Sequence, residues 1–87
     1  MQSQTEYEKL ASDIEIYQTF VNRLIQAIGE DGRTPHEIAK AAGIPHSTIL
    51  GWMSGRRRLD IMLLVKLADE LCISIDWTLG RKEDPRL

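Results

Sequence analysis

Residues 34–58 read TPHEIAKAAGIPHSTILGWMSGRRR, and the fold turns on how this stretch divides. Thr34 is answered three positions later by Glu37, the spacing of a capping box, and Pro35 suits the first helical position because its missing N–H needs no partner there. A helix is therefore predicted to open at Pro35, with Ile38, Ala39 and Ala42 as its apolar side. Gly43 stops it, since glycine takes the left-handed conformation at low steric cost. Beyond Ile44-Pro45, a further helix is predicted from about His46 to Met53. At helical spacing Ile49, Trp52 and Met53 fall on one face, and His46, Ser47 and Leu50 on another. Ser54-Gly55 breaks this helix, and Arg56, Arg57 and Arg58 lie in the connection that follows.

Outward from this stretch the pattern stays helical. Upstream, Tyr7, Ile14, Val21 and Ile28 recur every seven residues, with Leu10, Tyr17 and Leu24 interleaved. Thr5–Glu8 and Ser12–Glu15 both have the capping-box form, so a long helix starts at either one or breaks between them. Gly29 and Gly32 are expected to end it. The stripe is read as core-facing, with residues 5–12 as its extension into a dimer contact in the competing reading. Downstream, Asp60 caps a helix whose apolar residues include Ile61, Leu64, Val65, Ala68 and Leu71. Ser74-Ile75-Asp76-Trp77 opens a short last helix ending near Gly80, and the charged RKEDPRL tail is expected to fray. Alternation is absent except in Cys72–Ile75, so an all-α fold of four to five helices is predicted. Residues 1–12 form an acidic extension, 13–80 the domain, and 81–87 the tail.

The chain has 87 residues, enough for one domain with a single apolar core. With 43% hydrophobic and 28% charged residues it has the composition of a soluble globular chain and not of a disordered one. One cysteine, Cys72, excludes an internal disulfide and is expected to be a buried, inert thiol. No apolar run approaches bilayer length, and the polar, acidic N-terminus lacks the layout of a secretion signal. A cytoplasmic location is expected. The net charge of −2 is unevenly spread. Residues 33–58 carry five basic side chains against Glu37 alone, while both flanks are acidic. Screening confines each block's field to about 8 Å at physiological salt, so a positive surface is possible on an acidic molecule.

Two helices joined by Gly43-Ile44-Pro45 form a helix-turn-helix arrangement, whose second helix enters the major groove of DNA in proteins that use it so. The same geometry also serves as a plain αα-corner. The sequence from Thr34 to Gly80 resembles the phage-repressor and Cro type of helix-turn-helix domain, also called the XRE type. The resemblance rests on Ala39 and Gly43, Ser47-Thr48-Ile49, Trp52 followed by Gly55 and basic residues, Lys66-Leu67-Ala68, and Ile73 to Trp77. It implies a compact lambda-repressor-like domain and a transcription regulator, a repressor of phage or prophage type, that binds operator DNA as a homodimer. It further implies base contacts at His46, Ser47, Leu50 and Gly51. Phosphate contacts are implied at Arg56, Arg57 and Arg58, with Thr34, Arg33 and Lys40 as secondary ones. Gly51 stands where relatives carry a long polar side chain, so direct base readout is expected to be thin. Thr48 is read as either a marginal contact or a packed residue.

Three positions depart from the family pattern. Pro35 replaces a phosphate-binding glutamine. Met53 replaces a glutamate that pairs with an arginine like Arg23, so Arg23 needs another partner. Cys72 replaces a glycine, and a left-handed helix end there would be strained. Nothing in the sequence supports catalysis, and no metal or cofactor is expected: His36 and His46 stand alone, without ligand spacing around them. Other readings are an antitoxin built on the same fold, and a protein-interaction module that binds its partner through the acidic first helix. The chain is read as either a whole small regulator or the DNA-binding part of a longer one.

Overall fold

The computed structural model describes residues 6–87, which form five helices: α1 (Glu6–Asp31), α2 (Pro35–Ala42), α3 (His46–Met53), α4 (Ile61–Leu71) and α5 (Ile75–Thr78). The caps lie where the sequence places them. Thr34 Oγ1 accepts from Glu37 N at 3.2 Å while Thr34 N donates to Glu37 Oε1 at 2.9 Å, which completes the capping box of α2. The Thr34 N–H above all, with the Thr34 side chain second, holds the Glu37 carboxyl below its ordinary range. Asp60 Oδ1 accepts from Met62 N and Leu63 N at the start of α4, and Ser74 Oγ accepts from Trp77 N at the start of α5. Gly43, at φ 75°, ends α2 with its N–H on Ala39 O at 3.0 Å.

The core is drawn from four helices: Phe20, Leu24 and Ile28 of α1, Ile38 and Ala39 of α2, Ile49 and Trp52 of α3, and Leu64 and Leu67 of α4. Each large side chain fully buried here contributes about 1.5–3 kcal/mol. Phe20 meets Trp52 edge-on, with ring centroids 5.6 Å apart, so α1 is keyed to α3 by an aromatic pair. α2 packs on α3 and α4, and α1 lies along α3 and α5.

Several sequence expectations are corrected. α1 runs unbroken through Ser12 and Gly29 and stops at Gly32, whose φ is 90°. A helical interior satisfies Ser12 and Gly29 through its own backbone ladder, so the Ser12 cap signal goes unused. The competing signal at Thr5 lies outside the described residues. The heptad stripe is core-facing only in its second half. Tyr17 and Val21 are half-buried and Leu24 and Ile28 buried, whereas Leu10 is 63% and Ile14 54% exposed. Of the apolar residues of α4, Leu64, Leu67 and Ala68 are buried, while Ile61 and Val65 are exposed.

The tail does not fray. Ser74 N donates to Pro85 O at 2.8 Å, and Arg23 Nη1 donates to Trp77 O at 2.6 Å and Lys82 O at 2.9 Å. The Arg23 guanidinium also lies 5.1 Å from the centre of the Trp77 ring and 3.8 Å from Glu83. Arg23 thus takes carbonyls, an indole face and a tail carboxylate in place of the partner lost at Met53.

Cys72 is exposed and closes α4 at φ 55°. A left-handed residue here points its side chain out of the core, which overturns the expected burial and leaves the expected strain. Replacing it with glycine is expected to raise the unfolding free energy by about 1 kcal/mol. Urea denaturation measures this, and no gain would show that the left-handed turn is unstrained. A second prediction concerns Thr48, whose Oγ1 is buried without a hydrogen-bond partner among the described residues. Thr48→Val removes that unsatisfied group and is expected to stabilise by about 1 kcal/mol. A lower melting temperature for Thr48→Val would count against it.

Candidate nucleic-acid interface

The inward side of α3 is set by Thr48, Ile49 and Trp52, all fully buried. That leaves Ser47 and Leu50 exposed on the opposite side, with His46 and Gly51 half-buried at its edges and Met53 half-buried against the core. Thr48 is therefore a packed residue. The turn from α2 also brings two histidines together: the His36 and His46 rings meet edge-on, 5.1 Å between centroids. Their ten-residue separation gave no sign of this, because it depends on how the two helices enter the turn.

The arginine run is fastened to α3. Gly55, at φ 72°, lets the chain turn back, so that Gly55 N donates to Trp52 O at 3.0 Å and Arg56 N to Gly51 O at 2.9 Å. These are the paired bonds of a Schellman ending. Gly51 O also accepts from Arg57 N at 3.2 Å and Ser54 Oγ at 3.1 Å. Further along, Trp52 Nε1 donates to Arg58 O at 3.0 Å, and the Tyr17 hydroxyl of α1 donates to Arg57 O. The loop backbone is held from three sides while Arg56, Arg57 and Arg58 remain exposed. Among the described residues none of the three makes an ion pair.

A family model described as Helix-turn-helix matches residues 24–78, which spans the second half of α1 through α5. The chain belongs to the XRE-type helix-turn-helix family. Membership supports a DNA-binding transcription regulator. No curated protein and no solved structure gives a significant match. Among the described residues no helix is long and apolar enough to cross a membrane.

In this helix-turn-helix protein α2 and α3 are the paired helices, and the residues singled out from sequence do not all lie together. Ser47, Gly51 and the arginine loop border one shallow concavity, with exposed Leu50 and half-buried His46 also on α3. Lys40 is exposed on α2. Thr34 is exposed, with its N–H and its hydroxyl oxygen committed to the capping box. Arg33 is different. Its Nε and Nη2 bind the two oxygens of Asp31 at 2.7 and 3.0 Å, and its Nη1 binds Glu70 at 2.8 Å. It thereby clamps the α1–α2 connection to α4. Sequence distance hid this partner, since Glu70 lies on a separate helix.

The Arg33 bonds hold the Asp31 carboxyl below its ordinary value of 3.8. A lowered folded-state pKa adds stability above the ordinary carboxylate range, and this is lost as pH falls through the lowered value. In Arg33→Ala the Asp31 pKa is expected to rise toward 3.8, followed by NMR titration of the carboxyl carbon. An unmoved titration would show that Arg33 is not what lowers it.

Proposed function

We propose that this protein is a sequence-specific transcription regulator, a repressor of phage or prophage type, which lays α3 in the major groove of an operator and acts in the cytoplasm. One observation carries the reading: Ser47 and Gly51 of α3 border one concavity with three arginines that are unpaired among the described residues and whose backbone is bonded to that same helix. A charge run that merely solvated a loop would need no such fastening. Base edges are assigned to His46, Ser47 and Leu50: His46 and Ser47 offer donors and acceptors, and Leu50 an apolar surface for a thymine methyl. Gly51 offers no side chain of its own. Phosphates are assigned to Arg56 and Arg58, with Lys40 as a supporting contact. Arg33, held by two carboxylates, is assigned a bracing role and not a phosphate.

The uncovered half of α1 supports a homodimer. Leu10 and Ile14 continue the heptad line of Tyr17 and Val21 beyond the point where the domain covers it. The same face, flanked by Asp13 and Glu15, also suits a second reading, in which an antitoxin or an interaction module binds a protein partner there.

Selection of bound sites from random duplex DNA tests the main reading. Enrichment of a palindromic site is expected, with binding that weakens steeply as salt rises. Arg56→Ala and Arg58→Ala are each expected to reduce the slope of log K against log salt by about 0.9, the value for one lost phosphate contact. An unchanged slope removes that side chain from the interface. No enrichment even at low salt, together with stoichiometric co-purification of another protein, would favour the second reading.

A further inference from the structure

A Cβ built on Gly51 falls 2.9 Å from Cβ of Arg57, 3.4 Å from its Cδ and 3.7 Å from its Cγ. All three nearest atoms belong to Arg57, and the closest is at the root of its side chain, where rotamer changes give no relief. The stem of Arg57 therefore lies across the outer side of α3 where a residue-51 side chain would emerge. Gly51 is one helical turn from Ser47 and shares its face. Ser47, Gly51 and Arg57 border one shallow concavity. The arginine takes the place of the side chain that Gly51 lacks.

We propose that Arg57 contacts a base and not a phosphate: its guanidinium reaches the major-groove edge of a guanine beside the bases met by Ser47 and Leu50. The inference rests on the reading that α3 occupies the major groove. Guanine presents two acceptors there, O6 and N7, which match the paired N–H donors of a guanidinium. Discrimination also needs the guanidinium to arrive in a defined place. The Arg57 N–H is fixed on Gly51 O, its carbonyl on the Tyr17 hydroxyl, and its stem on the Gly51 backbone. A donor held at both sides of its backbone and along its stem loses less freedom on binding than a free surface arginine. Gly51 is then required by close approach, since any larger residue displaces the arginine.

The test is selection from random duplex DNA with the full chain and with Arg57→Lys, which keeps the charge but loses the two-pronged donor. Wild type is expected to enrich a site with a guanine at one half-site position. Arg57→Lys is expected to lose between about 5- and 150-fold of the preference for that guanine. Its other preferences and its salt slope stay close to wild type. Replacing that guanine with 7-deazaguanine is expected to weaken wild type and leave Arg57→Lys unaffected. Gly51→Ala, checked for folding by thermal melting, is expected to lose the same guanine preference. A wild-type motif retained in Arg57→Lys, or insensitive to the deaza base, overturns the assignment and leaves Arg57 as a phosphate contact. If wild type enriches no site at all, the major-groove reading fails and this assignment fails with it.

Discussion

Trp52 is the side chain on which both the core and the candidate interface depend. It is the largest fully buried residue. Its ring packs edge-on against Phe20, tying α3 to α1, while its Nε1 donates to Arg58 O and ties α3 to the loop beyond it. An indole N–H buried without a partner costs about 1–3 kcal/mol, so the buried ring favours the placement of the arginine loop that supplies its acceptor. Truncating such a residue removes about 3–5 kcal/mol, a large part of the 5–15 kcal/mol that holds a small domain together. One interaction thus couples domain stability to the position of the positive charge. Helical geometry then follows from it: with Ile49 and Trp52 inward, Ser47, Leu50 and Gly51 must face outward.

The arginines show how neighbours decide the task of one residue type. Arg33 meets two carboxylates and becomes a brace between the α1–α2 connection and α4. Arg23 meets carbonyls and an indole face and fastens the tail onto α1 and α5. Arg56, Arg57 and Arg58 meet no acid among the described residues, yet their backbone is bonded to Gly51, Trp52 and Tyr17. Charge left unpaired on a fixed backbone is free for an outside anion. Charge spent within the fold is not.

What was legible in the sequence is the local chemistry. The Thr34–Glu37 box, the Asp60 and Ser74 caps and the Gly43 turn are each written within four residues, and each is found in place. The inward and outward sides of α3 follow from the spacing of Ile49 and Trp52. What was hidden needs two distant segments to meet. Arg33 with Glu70, Arg23 with the tail, and the Tyr17 hydroxyl with Arg57 O leave no periodic trace. Local signals also misled where a stronger demand overrode them. The Ser12 cap was outcompeted by the continuing backbone ladder of α1, and Cys72 was turned outward by the helix end that its own φ defines.

Gly51 shows how much of a residue's meaning lies in a neighbour from outside its own helix. In isolation it is a gap in a surface that should carry a long polar side chain, and the face appears bare. With the loop in place, the gap is filled from outside the helix, and glycine is the one residue that permits it. The arrangement differs from a long side chain on the helix itself, because the arginine is then oriented by the loop as well as by α3. Tyr17 holds that loop from α1, so a displacement of α1 along α3 would be felt at the guanidinium. Leu10 and Ile14, exposed on the first half of α1, lie on the same continuous helix as Tyr17. The partner surface proposed on α1 and the base contact proposed for Arg57 are therefore linked through one helix.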